Sequence, residues 1–243
     1  MPLPAHDSPN YGLARRVILA RWLAAPLDYA DACRRVDAFN AESRSLDEIV
    51  NTALDLRSRG LFQVKASQVP SEIRALAERV AALKPKVIVE IGVYKGGTGF
   101  IWSHLANEMV LLCDLRHLWL ESSLLKRFPP RGGARVRVLC GNSHEHAFHT
   151  RLIRTLHDRP IDFLFIDGDH SLEGIRQDFR EYGPLVRSGG LIVCHDIVPK
   201  QPFPTTQVPQ FWQELKASGK YQLEELVEDW DQVGYGIGVI HQP

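Results

Sequence analysis

Asp167, Asp169, His170, His195 and Asp196 follow two short apolar runs, Phe163-Leu-Phe-Ile166 and Leu191-Ile-Val-Cys194. Carboxylates such as Asp167 and Asp196, carried by neighbouring strand ends, can converge on a hard divalent cation such as Mg²⁺. A metal so held would grip a substrate hydroxyl and lower its pKa. His170 would then take the proton, since an unperturbed imidazole titrates near ~6.5. The plainer alternative is that His170 bonds a loop backbone and Asp196 caps the loop.

A second stretch speaks to what is bound. Val87-Ile-Val-Glu-Ile-Gly-Val-Tyr-Lys-Gly-Gly-Thr-Gly99 starts as a β-branched run, breaks into glycines and resumes as Phe100-Ile-Trp-Ser-His-Leu. Strand, glycine-rich turn and helix hold a cofactor at the carboxyl end of a strand, where glycines admit close approach and the helix start offers free N–H donors. A dinucleotide turn reads G-x-G-x-x-G. Here the order is Glu90-x-Gly92-x-x-x-Gly96-Gly97. The acid would repel a pyrophosphate and suits a ligand carrying ammonium or sulfonium.

Other strand ends add to the pattern. Asp114 lies 24 residues beyond Glu90 and ends the run Val-Leu-Leu-Cys. An acid there is placed to accept both ribose hydroxyls, or to cap the next helix. Cys140-Gly-Asn142-Ser143 ends the third run. Asn142 and Ser143 can bond an adenine edge, and Ser143 is also placed to N-cap a helix starting at His144. The run His144-Glu-His-Ala-Phe-His149 misses the H-E-x-x-H spacing of a zinc helix and reads as a solvated helix start.

These groups need elements to position them. Strands are expected at 87–91, 110–114, 136–140, 161–166, 190–195, 221–227 and 235–241. Helices are expected near 98–106, 117–127, 144–157, 172–182 and 207–217. Such alternation implies a mainly parallel sheet, with ligands beyond the carboxyl ends of its strands. Upstream, Pro70 opens a helix carrying Ile73, Leu76, Val80 and Leu83, stopped by Lys84-Pro85. Residues 12–60 read as small helices: Leu13, Val17, Ala20 and Ala24 share one face, Tyr29, Cys33, Val36 and Phe39 another, and Ser45-Leu-Asp-Glu48 fits a capping box with Gly60 as the later stop. This extension, residues 1–63, is expected to pack on the domain of residues 64–243 or to pair two copies of the chain, the alternative being a lid over the substrate. The four-proline loop Pro199–Pro209 follows the fifth strand and can border the site.

The bulk numbers exclude some partners. Among 243 residues, 29 Lys+Arg balance 29 Asp+Glu, which argues against nucleic acid or an acidic membrane. No apolar run approaches the ~20 residues that span a bilayer. Residues 1–11, with three prolines, look disordered and lack the apolar core of a signal peptide. Four scattered cysteines without a C-x-x-C pair read as reduced and mostly buried, as in a cytoplasmic protein.

Taken as an ordered set, Glu90-x-Gly92-x-x-x-Gly96-Gly97, Asp114, Gly141-Asn-Ser143, Ile166-Asp-Gly-Asp-His170 and Gly189-Gly-Leu-Ile-Val-Cys-His-Asp196 resemble the class I S-adenosylmethionine-dependent methyltransferases. Within them the chain is similar to the cephalosporin-hydroxylase-like and macrolide-sugar O-methyltransferase group, over residues 64–241. The resemblance implies a Rossmann-like, doubly wound α/β fold whose seven-stranded sheet has the order 3-2-1-4-5-7-6 and an antiparallel last strand. It implies that Glu90, Gly92 and Gly96 line the methionine part of the cofactor, that Asp114 binds the ribose, and that Asn142 and Ser143 sit near the adenine. Lys65 and Gln68, in the connector before the first strand, are implied contacts of the cofactor carboxylate. The family's metal ligands fall on Asp167, His195 and Asp196, and its histidine base falls on His170. Two departures stand out. Position 195 is His where metal-dependent members carry an acid, and imidazole suits Mg²⁺ poorly. Position 142 is Asn where many relatives carry Asp.

The expected activity is methylation of a hydroxyl on a small molecule, a sugar or natural-product intermediate, with S-adenosylmethionine and with Mg²⁺ as a candidate second cofactor. Asp167 and Asp196 hold the metal or the hydroxyl, and His170 or His195 is the base. The alternatives are N-methylation, a non-catalytic cofactor-binding protein, and a nicotinamide-dependent oxidoreductase, which the glycine spacing disfavours.

Overall fold

The computed structural model describes residues 11–56, 62–115 and 119–243; over 11–23 and 119–120 it describes only the backbone path. The reading of Leu13, Val17 and Ala20 as one face, and of Gly60 as a stop, lies outside the described side chains and residues.

The chain runs α1 (Tyr11–Phe39), α2 (Leu46–Asp55), α3 (Pro70–Leu83), β1 (Val87–Ile91), α4 (Gly97–Leu105), β2 (Met109–Asp114), α5 (Trp119–Leu125) and β3 (Arg135–Cys140). It continues α6 (His146–Leu156), β4 (Ile161–Ile166), α7 (Leu172–Tyr182), β5 (Val186–His195), α8 (Val208–Ser218), β6 (Gln222–Leu226) and β7 (Ile237–His241). The seven strands form one sheet in the order β3-β2-β1-β4-β5-β7-β6. β1 to β5 pair in parallel, and β7 runs antiparallel to both β5 and β6. This is the doubly wound order the resemblance implies.

Two apolar layers flank the sheet. On one face, α1 to α5 bury residues such as Val36, Val50, Leu76, Trp102 and Leu125. On the other, α6, α7 and α8 bury Leu152, Ile175, Tyr182 and Trp212. The N-terminal helices α1 and α2 therefore share a core with the sheet. Val36 is fully buried and Tyr29, Cys33 and Phe39 pack beside it.

Local signals explain many of the boundaries. The Ser45 hydroxyl accepts from Glu48 N while Glu48 Oε2 accepts from Ser45 N at 2.8 Å, completing the capping box. Pro70 occupies the first turn of α3, and Lys84 closes it in a left-handed conformation ahead of Pro85. Three boundaries differ from the reading of the sequence. α1 is one helix of 29 residues that carries Pro26 within it, not several short ones. β5 begins at Val186 instead of 190, because the strand continues through Gly189-Gly190 with one positive φ at Gly189. α6 begins at His146 with Glu145 as its cap residue, so Ser143 does not N-cap it. All four cysteines are free; Cys113 and Cys194 are buried, whereas Cys140 is exposed at the end of the edge strand β3. No described helix is long and apolar enough to cross a membrane.

Candidate active site

The carboxyl ends of β1, β2, β4 and β5 open onto a cleft of about 1240 Å³. Ten of the residues singled out in the sequence line it: Lys65, Gln68, Gly92, Asp114, Asn142, Ser143, Asp167, His170, His195 and Asp196. Glu90 and Gly96 do not; both lie behind its wall.

At one end the turn after β1 is held by close backbone packing. Gly92 has φ +90°, and a Cβ there would meet the Asp167 carbonyl oxygen at 2.0 Å. Gly97 packs so tightly on the connector that a Cβ would lie 1.8 Å from Ala66 N. Lys65 bridges to Gly96, which brings the connector onto the cleft wall. Asp114 Oδ2 accepts the backbone N–H groups of Val93 at 2.9 Å and Tyr94 at 3.0 Å. The second-strand acid thus fixes the glycine turn while presenting itself to the cleft.

Glu90 departs from its expected place on the cofactor surface. It projects from β1 toward α4, is fully buried, and accepts a hydrogen bond from Thr98 Oγ1. Its other oxygen has no partner. Burial pushes its carboxyl well above the usual range, and nearby Asp167 and Asp114 add to this against the Thr98 bond. A side chain on an alternate position of a strand buried on both faces has no route to solvent. It is Thr98, in the first turn of α4, that reaches the wall.

Asn142 Oδ1 accepts from His144 N at 3.0 Å, a turn that shapes the third strand end. Beneath it, Tyr182 Oη donates to the Ser143 carbonyl, and His144 Nε2 lies 3.2 Å from Asp178 Oδ1. Asp178 is fully buried, which pushes its carboxyl up to about 6 against the pull of Ser143 and His144. The sequence reading missed His144, Asp178 and Tyr182. The available signal was an acid on the apolar face of α7, in step with Ile175 and Tyr182.

At the other end the acids and imidazoles form one cluster. Asp167 Oδ1 lies 3.2 Å from His195 Nδ1 and 3.3 Å from His170 Nε2. Asp167 Oδ2 accepts from Gln68 Nε2 at 3.1 Å. Asp196 Oδ2 lies 3.0 Å from His170 Nδ1, and its Oδ1 accepts from Tyr235 N at 3.0 Å. Asp196 is held at φ +67°, a left-handed conformation that turns its carboxylate back toward His170. Burial alone would raise the Asp167 carboxyl, but His195 and His170 outweigh it and hold it at about 2. The bonds from Asp167 and Asp196 push His170 up to about 10. Burial opposes protonation of His195, and Asp167 followed by Asp196 overrides it, so its pKa is also raised. Nε2 of His195 and Oε1 of Gln68 are buried without a partner.

Ligating atoms of Asp167, His170 and Asp196 all lie within 4.8 Å of one another. The third member of this group is His170, not the His195 expected from the resemblance.

Residues 89–197 match the methyltransferase-domain family. Solved structures share the fold at low identity. An O-methyltransferase from Bacillus cereus, solved with SAH, is 17% identical, with a TM-score of 0.53 over 83% of this chain and 92% of that one. TomG, an O-methyltransferase of tomaymycin synthesis from Streptomyces achromogenes solved with SAM, is 16% identical, with a TM-score of 0.55 over 83% and 91%. The methyltransferase MycE of the mycinamycin pathway, solved with Mg, SAH and mycinamycin VI, is 17% identical, with a TM-score of 0.54; the match covers 82% of this chain and 55% of MycE.

Proposed function

We propose that the chain is an S-adenosylmethionine-dependent O-methyltransferase acting on a small-molecule hydroxyl, a reading supported by the match of residues 89–197 to the methyltransferase-domain family and by the order of the sheet. The observation that carries this reading is the two-ended cleft. A glycine turn braced by Asp114 stands at one end and the Asp167–His170–His195–Asp196 cluster at the other. The residues suit the cofactor: among the described residues, five carboxylates (Asp114, Glu121, Asp167, Asp169 and Asp196) and one lysine, Lys65, line the cleft, an environment that favours a cation. The unpartnered Gln68 Oε1 is an acceptor for its ammonium group.

When bound, the cofactor supplies an electrophilic methyl on a sulfonium. Asp114 accepts the ribose hydroxyls, and Asn142, Ser143 and His144 shape the adenine corner. The protein's main contribution is to hold the hydroxyl in line and remove its proton. His195 fits the role of base. With Nδ1–H donating to Asp167, its lone pair falls on Nε2, the atom without a partner. This is the orienting logic of a histidine–aspartate pair. His170, with a carboxylate at each ring nitrogen, has no lone pair to offer and serves as a fixed positive charge.

That arrangement does not suit Mg²⁺. Hard cations prefer oxygen donors, one donor in three here is a nitrogen, and the imidazole already bridges both carboxylates. We therefore read the reaction as metal-free, with turnover unchanged in EDTA; loss of turnover restored by Mg²⁺ would overturn this.

The central test is calorimetry. The protein should bind S-adenosylmethionine at micromolar concentration, and Asp114→Ala should weaken binding at least tenfold. Absence of binding by the natural chain would remove the proposal.

A further inference from the structure

Eight large apolar side chains are exposed among the described residues, and five of them, Tyr94, Leu115, Phe203, Val233 and Tyr235, line the one cleft. Exposed apolar surface gathered in a concave site marks ligand contact, whereas scattered single residues do not. The five divide by position. Tyr94 and Leu115 flank Asp114 at the cofactor end. Phe203, Val233 and Tyr235 belong to the end with the histidines: the Tyr235 ring lies 6.0 Å from that of His195, and Tyr235 N donates to Asp196.

Phe203 is 65% exposed, yet its loop is fastened on both sides to the same cluster. Gln201 Nε2 donates to the Asp196 carbonyl at 3.0 Å, and Gln207 N donates to the His170 carbonyl at 2.7 Å. Gly234 N donates to the Lys200 carbonyl at 2.7 Å, tying this loop to the segment that carries Val233 and Tyr235. An apolar side chain kept in water by an anchored loop beside the reacting groups is placed for a ligand. Charge narrows the ligand further. Among the described residues that line the cleft there is no arginine, the one lysine is Lys65 on the connector, and His170 at the acceptor end is already engaged by Asp167 and Asp196. A carboxylate or phosphate on the acceptor would be desolvated there with no uncommitted cation among the described residues to pair with it.

We propose that the acceptor is a neutral hydroxyl compound with an aromatic or polycyclic apolar body, held between Phe203 and the Val233–Tyr235 segment with its hydroxyl toward His195. This rests on the methyltransferase reading and names the substrate class of the same site. In the reaction, the oxygen–methyl bond forms as the sulfur–methyl bond breaks. The hydroxyl proton passes to His195, and the neutral ether and thioether leave an uncharged product pair.

The test is calorimetry on the full chain with S-adenosylhomocysteine already bound. Titrants are 2,3-dihydroxynaphthalene, methyl glucoside and 3-hydroxy-2-naphthoate. The neutral diol should bind at least tenfold more tightly than either the glucoside or the carboxylate. Phe203→Ala and Tyr235→Ala should each weaken the diol by about tenfold while leaving the S-adenosylhomocysteine affinity within threefold. Both side chains are exposed, so the folded state should tolerate their loss. Glucoside or carboxylate binding as tightly as the diol, or diol binding indifferent to both substitutions, overturns the acceptor class alone. Failure of S-adenosylhomocysteine itself to bind overturns the methyltransferase reading and this one with it.

Discussion

Nδ1 of His170 lies 3.0 Å from Oδ2 of Asp196, while its Nε2 faces Asp167 Oδ1 across 3.3 Å. A neutral imidazole has one N–H and can satisfy only one carboxylate. Bridging two requires the protonated ring, and Asp167 and Asp196 together hold that form up to about 10. The cluster is thereby close to electrically balanced without an added ion.

This balance predicts how stability depends on pH. A histidine whose pKa is raised on folding stabilises fully below the unfolded value of ~6.5 and loses that contribution as pH climbs toward the folded value. Asp167, lowered to about 2, stabilises above its unfolded value of ~3.9 and loses the effect as pH falls. The contributions of His170 and Asp167 should therefore both be complete only between about pH 4 and 6.5, with the Asp167 part lost below that window and the His170 part lost above it in thermal melts of the ligand-free protein. His170→Asn should flatten the alkaline decline and leave the acid limb. An alkaline limb unchanged by that substitution would remove His170 from this role.

His195 predicts a kinetic limb. A base acts only when deprotonated, and the raised pKa of His195 moves that event above the ordinary imidazole range. kcat should rise with pH beyond ~6.5, and His195→Gln should lower it by roughly 10²–10⁴ while changing cofactor affinity little. If His195→Gln retains kcat within threefold and His170→Gln does not, the base is His170.

The strand-end acids and the order of elements were legible because each depends on local pattern: an apolar run, then a polar residue, at spacings that alternate strands with helices. What could not be read is set by contacts distant in the chain. Asp178 pairs with His144 across 34 positions, Tyr235 N reaches Asp196 across 39, and Phe203 becomes a cleft residue only because its loop is tied to Asp196 and His170. Glu90 misled for a related reason. Its neighbours in sequence suggest a ligand contact, but the alternation of β1 turns it to the buried α4 side.

Glu90 accordingly predicts the opposite of a charged cofactor contact. Its carboxyl is neutral well above the usual range, whereas in the unfolded chain it ionises near ~4.3. Folding therefore becomes less favourable as pH rises from that value. Glu90→Gln, which keeps shape and neutrality, should raise Tm at pH 8, change it little at pH 4, and leave S-adenosylmethionine affinity within threefold. A tenfold loss of affinity would restore Glu90 as an ionised contact.

Gly92 tests whether the two halves of the site are mechanically joined. Its φ of +90° and the 2.0 Å approach of a would-be Cβ to the Asp167 carbonyl make two separate demands. The conformational one costs roughly 1–2 kcal/mol for an L-residue. The steric one forces β1 and β4 apart and adds about 1–3 kcal/mol. Gly132 isolates the first demand, because its φ is +78° and nothing lies within 4 Å of a Cβ there. In denaturant titrations Gly132→Ala should cost roughly 1–2 kcal/mol and leave cofactor binding intact. Gly92→Ala should cost roughly 2–5 kcal/mol, and in the fraction that folds it should weaken cofactor binding, because Asp167 carries the displaced carbonyl. Equal costs for the two substitutions would show that β1 and β4 separate freely at this point, and that the glycine turn positions the cofactor without bearing on the catalytic cluster.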